Sequence, residues 1–194
     1  LKKIILKVTK KNSNPIGDNE YNKLKQKRLK EFNDKYIKDS NFVVTNNNPV
    51  ELNNMYDYFV IGSDQIWNPS VHTPFEINFA LFADKYKKIS YAASFGVSDI
   101  PKQYEKIYKK GINDIKSISV REQQGINIIK KITNRQDAIV TLDPTMLLTP
   151  EKWREISKLP SKVKSQQYML IYFLGSISEE RQKGAEKVTT TTGF

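Results

Sequence analysis

The chain has 194 residues, with 32 lysines and arginines against 21 aspartates and glutamates and a formal charge of +11. That length suits one domain, or one domain and part of a second, and the 38% hydrophobic content supplies a packed core rather than a disordered tail. Cysteine is absent and histidine occurs once, which excludes disulfide scaffolds, thiolate-held metals and cysteine nucleophiles and leaves little for imidazole chemistry.

The amino-terminal LKKIILKVTKK lacks the extended apolar region and small-residue cleavage site of a signal peptide. No apolar run approaches the roughly 18–20 residues of a bilayer-spanning helix. Tyr21, Leu24, Leu29, Phe32 and Tyr36 fall on one side of a helix, which puts the lysines of KLKQKRLKEFNDKYIK (Lys23 to Lys38) on its solvated face. Such a basic run can also bind phosphates by releasing counterions. No zinc-finger spacing, RNP-type aromatic signature or basic-zipper heptad accompanies it, so solvated surface is the reading and no nucleic-acid partner is expected. Asn46-Asn47-Asn48-Pro49 favours a turn.

From Met55 short apolar runs alternate with helical patterns, the mark of an α/β domain with a mostly parallel sheet. Tyr58-Phe59-Val60-Ile61 reads as a first strand closed by Gly62-Ser63-Asp64, and Ile89 to Ala93 as a second ending at Ser94-Phe95-Gly96. Pro101 suits a first helical turn, and Tyr104, Ile107, Tyr108, Ile112 and Ile115 continue at helical spacing, predicting a helix from about Pro101 to Asp114. Gly111 weakens it by up to about 1 kcal/mol relative to Ala. A third strand, Ser117 to Val120, runs into Arg121-Glu122 and a helix carrying Ile126, Ile128, Ile129 and Ile132. A fourth, Ala138 to Leu142, ends at Asp143-Pro144, and Thr149-Pro150-Glu151 caps a short helix with Trp153 and Ile156.

Lys158 to Gln167 reads as a linker, followed by a strand from Tyr168 to Leu174 and a helix-like stretch from Ser178 to Lys187. The expected organisation is a lysine-rich lead-in over 1–55, an α/β domain over 56–158, and a linker with the truncated start of a second domain over 159–194. Leu at position 1 and the trailing KVTTTTGF both look like cut ends.

In an open parallel sheet, ligands bind beyond the carboxyl ends of strands. Three sets of residues occupy such places and should lie along one rim: Gly62-Ser63-Asp64-Gln65, Ser94-Phe95-Gly96 and Arg121-Glu122. Gly62 allows close backbone approach, Ser63 offers a hydroxyl, and Asp64 a carboxylate able to deprotonate or orient a substrate hydroxyl. Ser63 and Asp64 would equally serve as caps of the next turn. The Arg121 guanidinium matches the oxygens of a carboxylate or phosphate, with a structural ion pair as the competing role. Trp67 either packs in the core or walls the site as a stacking face for a sugar. Asp143-Pro144 reads first as a structural turn, with a role in the site as the alternative, and His72, between two prolines, as a surface loop; no metal site is expected.

The segment YDYFVIGSDQIWNP (Tyr56 to Pro69) resembles the diagnostic block of the polysaccharide pyruvyl transferase family. The similarity continues in KKISYAASFG (Lys87 to Gly96), SISVREQQG (Ser117 to Gly125), VTLDPTMLL (Val140 to Leu148) and MLIYFLG (Met169 to Gly175). The resemblance implies two Rossmann-like halves in a GT-B-like arrangement, of which this chain would be most of the amino-terminal one. It further implies transfer of a pyruvyl group from phosphoenolpyruvate to hydroxyls of a cell-surface polysaccharide or its lipid-linked precursor, without a cofactor. The setting would be cytoplasmic, with peripheral contact at the inner membrane face.

On the same resemblance Asp64 and Arg121 are the candidate catalytic residues, Arg121 touching the donor anion and Asp64 the sugar hydroxyls. Gly62, Ser63, Gln65, Trp67, Ser94 and Glu122 are the candidate substrate-binding set. Family members carry an Arg-x-His segment in the second half as their acid/base, and no such segment occurs here, so the chain is expected to be an inactive fragment. Two alternatives stay open: a non-catalytic sugar- or anion-binding remnant, and a nucleotide-sugar glycosyltransferase of the same architecture.

Overall fold

The computed structural model describes residues 20–38, 49–71, 73–158 and 178–192. His72, Asn46 to Asn48, the LKKIILKVTKK segment, most of the expected linker and the strand expected at Tyr168 to Leu174 lie outside the described residues. The chain divides into two compact units, Leu1–Leu147 and Leu148–Phe194.

The first unit is α/β. Its sheet is made of β1 (Phe59–Ile61), β2 (Lys88–Ala93), β3 (Ser117–Val120) and β4 (Ile139–Val140), parallel throughout and neighbouring in chain order. Short 3-10 turns, Glu76–Phe79 and Lys85–Lys87, lead from β1 to β2. The next crossovers are helical, α3 (Glu105–Asn113) and α4 (Gln123–Thr133), preceded in the chain by α1 (Glu20–Tyr36) and α2 (Pro49–Met55). Burial follows the sequence periodicity: Tyr108 and Ile112 of α3 and Ile126, Ile128 and Ile129 of α4 enter the core with Phe59, Ile118 and Val120 of the sheet.

Three expectations shift. Pro49 starts helix α2, which buries Leu52, instead of closing a turn. Only Ile139 and Val140 of the expected fourth strand pair fully, as an exposed edge, although Thr141 N still donates to Val120 O at 2.9 Å. In α1 Leu24 and Leu29 stay more than half exposed, so the apolar stripe does not enter the core; the i,i+3 and i,i+4 pairs Arg28–Glu31 and Lys30–Asp34 support the helix instead.

A bulge sets where β2 ends. Ser90 pairs with Ile118 but Ala93 with Val120, leaving one extra residue on β2, and Ala92 takes the left-handed φ of 47°. Hydroxyls close the gap in the ladder. Ser90 Oγ donates to Ser119 O (3.0 Å) and accepts from Ser119 N (3.1 Å), while Ser119 Oγ donates to Ser90 O (3.0 Å) and accepts from Ala92 N (3.0 Å). All four groups are buried, so each bond stands in for one that water cannot replace. Replacing Ser119 with Ala strands the Ala92 N–H and is expected to lower stability by about 1–3 kcal/mol; an unchanged urea midpoint would rule out the stitching role.

Beneath the strand ends lies an aromatic cluster. Trp67 stacks with Phe79 (5.8 Å between centroids) and meets Phe95 (5.2 Å), and Tyr108 stands edge-on to Phe79 (5.2 Å). The polar atoms of these rings are satisfied: Trp67 Nε1 donates to Asn78 O (3.1 Å) and Tyr108 OH to Trp67 O (2.7 Å). Burial pushes the Tyr108 phenol up, so it stays a protonated donor. At the opposite end of β2 the fully buried Lys88 amine pairs with Asp114.

In the second unit, α5 (Pro150–Ile156) is capped by Thr149, whose Oγ1 accepts from Lys152 N, and α6 is Glu179–Thr192. Among the described residues no helix is long and apolar enough to cross a membrane.

Candidate functional site

The carboxyl ends of β1, β2 and β3 are laced into one rim. Gly62 follows β1 directly, and a Cβ there would stand 2.2 Å from Tyr91 O, so only glycine lets this turn lie against the β2 backbone. Ser94 N donates to Ser63 O (2.9 Å) and Trp67 N to Ser94 O (3.1 Å), tying the two post-strand loops together. Gln65, at φ 48°, accepts from Asn68 through both its backbone O (3.0 Å) and its Oε1 (3.1 Å) and closes the turn.

Glu122 braces the rim from β3. It occupies the N-cap position of α4 without capping it, because its carboxylate reaches across to β2. One oxygen, Oε1, accepts from Ser94 Oγ (3.1 Å), Phe95 N (2.9 Å) and Gly96 N (3.4 Å). The loop after β2 is therefore wrapped around a carboxylate supplied by the neighbouring strand.

Arg121 is the centre of charge. Its NH2 donates to Asp64 Oδ1 at 2.8 Å and its NH1 to Asp143 Oδ2 at 2.9 Å, with Glu122 Oε2 3.9 Å from Nε. The two pairs differ in exposure: the Asp143 side chain is 26% exposed and that of Asp64 is 72% exposed. One guanidinium among three carboxylates gives the group a net formal charge of −2. These partners, with the Asp64 bond foremost, hold the Arg121 pKa above its ordinary value against the effect of burial.

Asp143 is also fixed by its own turn, its Oδ1 accepting from Thr145 N (2.9 Å). The bonds from Thr145, reinforced by Arg121, hold its carboxyl below the usual aspartate range, and the Arg135 fork does the same for Asp137. A depressed folded-state pKa gives stability that is complete above the unfolded value, near pH 4, and is lost as pH falls through the folded one. The urea midpoint is thus expected to drop below about pH 4, and less steeply in Asp143→Asn. Equal slopes in the two proteins would contradict this.

The structure brings Asp64, Arg121 and Glu122 together as the sequence places them, with Ser63 and Gln65 part-exposed in the same turn. Two members of the expected substrate-binding set are buried. Trp67 is 1% exposed and packed against the rings of Phe79 and Phe95, so it is a packing residue and offers no wall to a sugar. Ser94 is 2% exposed and its hydroxyl is spent on Glu122, so it positions the loop rather than touching a ligand. Asp143, read from sequence as a turn residue, both makes that turn and joins the rim. Its place at the tip of the fourth strand is the signal that identifies it. Among the described residues no group of His, Cys, Asp and Glu is arranged to hold a metal ion.

A family model described as polysaccharide pyruvyl transferase matches residues 2–184. The chain belongs to this family. Compared with curated proteins and with solved structures, it has no match. In this chain the segments GSDQIWN, SYAASFG, SVRE and LDPT are the ones whose ends meet in the rim, and Arg121 is where three of them converge on one side chain.

Proposed function

We propose that this pyruvyl transferase uses phosphoenolpyruvate as donor and joins its pyruvyl group, as a ketal, to two hydroxyls of a cell-surface polysaccharide or its lipid-linked precursor. It does so at the cytoplasmic side of the membrane, in a two-domain GT-B-like protein whose amino-terminal half carries the rim.

The observation that carries this reading is the unequal grip of Arg121 on its two aspartates. An exposed ion pair such as Arg121–Asp64 contributes about 0–1 kcal/mol, so an incoming carboxylate displaces Asp64 at little cost. Asp143 stays in place, anchored by Thr145 N. The donor carboxylate then takes the NH2 position, and the released Asp64 stands beside it, free to accept the proton of an attacking sugar hydroxyl. Each ketal oxygen comes from the acceptor: the first adds to C2 as the enol double bond breaks and its methylene takes up a proton to become the methyl, and the donor C–O bond to phosphate breaks as the second C–O bond forms, the second hydroxyl proton leaving with the phosphate. The rim's net charge of −2 means that the donor phosphate requires cations beyond these four residues.

The test is phosphate release from phosphoenolpyruvate by the full gene product, supplied with glycans bearing free diols and with the same glycans methylated at one hydroxyl. Release matched by ketal formation, with free diols only, is expected. Equal release with methylated glycans would rule out ketal transfer.

A further inference from the structure

Away from the rim, the solvent side of α3 and α4 holds a groove of about 550 Å³ lined by Lys102, Glu105, Lys106, Lys109, Lys131 and Ile132. Four amines thus face one carboxylate. Lys131 is paired with Asp99 at 2.5 Å, and the Asp99 bond holds its pKa above the ordinary lysine value. Among the described residues Lys102, Lys106 and Lys109 have no carboxylate within ion-pair distance.

The three lysines stand one turn apart along α3 and the 3-10 turn Lys102–Tyr104 that leads into it. Like charges at these spacings repel and weaken a helix. The opposite face of α3 is buried through Tyr108, Gly111 and Ile112, which fixes the lysine face toward solvent. A concave surface with several unneutralised amines at fixed spacing fits a ligand with several negative charges close together.

We propose that this groove binds a phosphate-dense polyanion, its clustered phosphates set among Lys102, Lys106 and Lys109. Such a ligand is presented either by the headgroups of an anionic membrane or by a soluble polyphosphorylated molecule. The groove shares no residue with the rim, so this binding stands or falls apart from pyruvyl transfer.

The experiment uses the full gene product in two arms: co-sedimentation with phosphatidylglycerol or phosphatidylcholine vesicles, and calorimetric titration with inorganic tripolyphosphate. Two variants accompany it, Lys102→Gln/Lys106→Gln/Lys109→Gln in the groove and Lys25→Gln/Lys27→Gln/Lys30→Gln on α1, which removes the same charge elsewhere. All six side chains are exposed, and melting followed by circular dichroism confirms that both variants fold. Each lysine near an anionic surface is worth about fivefold in affinity, so the groove variant is expected to lose about a hundredfold. The α1 variant should stay within about threefold of wild type. Binding to phosphatidylglycerol vesicles alone assigns the groove to a membrane, and binding to tripolyphosphate alone to a soluble ligand; both support the proposal. Wild-type protein that binds neither, or equal losses in the two variants, would overturn it.

Discussion

Replacing Arg121 with Met is expected to lower kcat/KM for phosphate release by about a hundred- to a thousandfold, the usual effect of removing one fixed charge that stabilises a reacting anion. The loss has two sources in this rim. In the proposed reaction the donor carboxylate loses the guanidinium that holds it, and Asp143 and Glu122 are left without the cation between them. Arg121→Lys keeps the charge but presents a single ammonium in place of a fork, so it cannot span Asp143 and a second carboxylate together. It should recover only a small part of the activity. The Arg121 side chain is 30% exposed, so the Met variant should fold and lose no more than about 1–2 kcal/mol of stability. Turnover within about threefold of wild type in a folded Arg121→Met protein would take Arg121 out of the mechanism.

Gly111→Ala has an expected effect opposite in sign to helix propensity. In an exposed helix this change stabilises by about 1 kcal/mol. Here the new Cβ would stand 2.2 Å from Phe79 Cγ and 2.5 Å from Phe79 Cδ1, far inside van der Waals contact. Phe79 cannot retreat, because it is fully buried between Trp67 and Tyr108. Overpacking of this kind costs about 1–3 kcal/mol and outweighs the propensity gain. The melting temperature should therefore fall, with the far-ultraviolet spectrum of the folded state unchanged. A rise would show that α3 is free to shift off the cluster.

Gly111 also illustrates what was legible in the sequence. Its position in α3 and its local cost were readable from spacing, whereas its purpose depends on Phe79, which lies 32 residues earlier in the chain. The same holds elsewhere. The third strand is legible to the residue as a short run buried on both faces, and the helices after the second and third strands are legible from isoleucine and tyrosine periodicity because each buries one face, although the first turn expected from Pro101 is a 3-10 turn and α3 begins at Glu105. The β2 bulge is not legible in the sequence: Tyr91-Ala92-Ala93 carries no turn signal, and the Ala92 N–H at the bulge is held by the Ser119 hydroxyl of β3.

At the rim, Asp64, Arg121 and Glu122 could be found because each lies within three residues of the end of an apolar strand. Trp67 was ambiguous since its neighbours in the core, Phe79 and Phe95, come from separate segments. Asp143 was masked by its proline, a turn signal that is correct but does not exclude a second role.

In the proposed reaction Asp64 and the donor compete for one edge of Arg121. Calorimetric titration of phosphoenolpyruvate into the Asp64→Asn full gene product measures this directly. Removing the competing carboxylate should leave donor affinity equal to or greater than that of wild type, while phosphate release falls by about a hundredfold or more for lack of the hydroxyl's proton acceptor. Weaker donor binding in Asp64→Asn, or turnover retained, would contradict the exchange at Arg121.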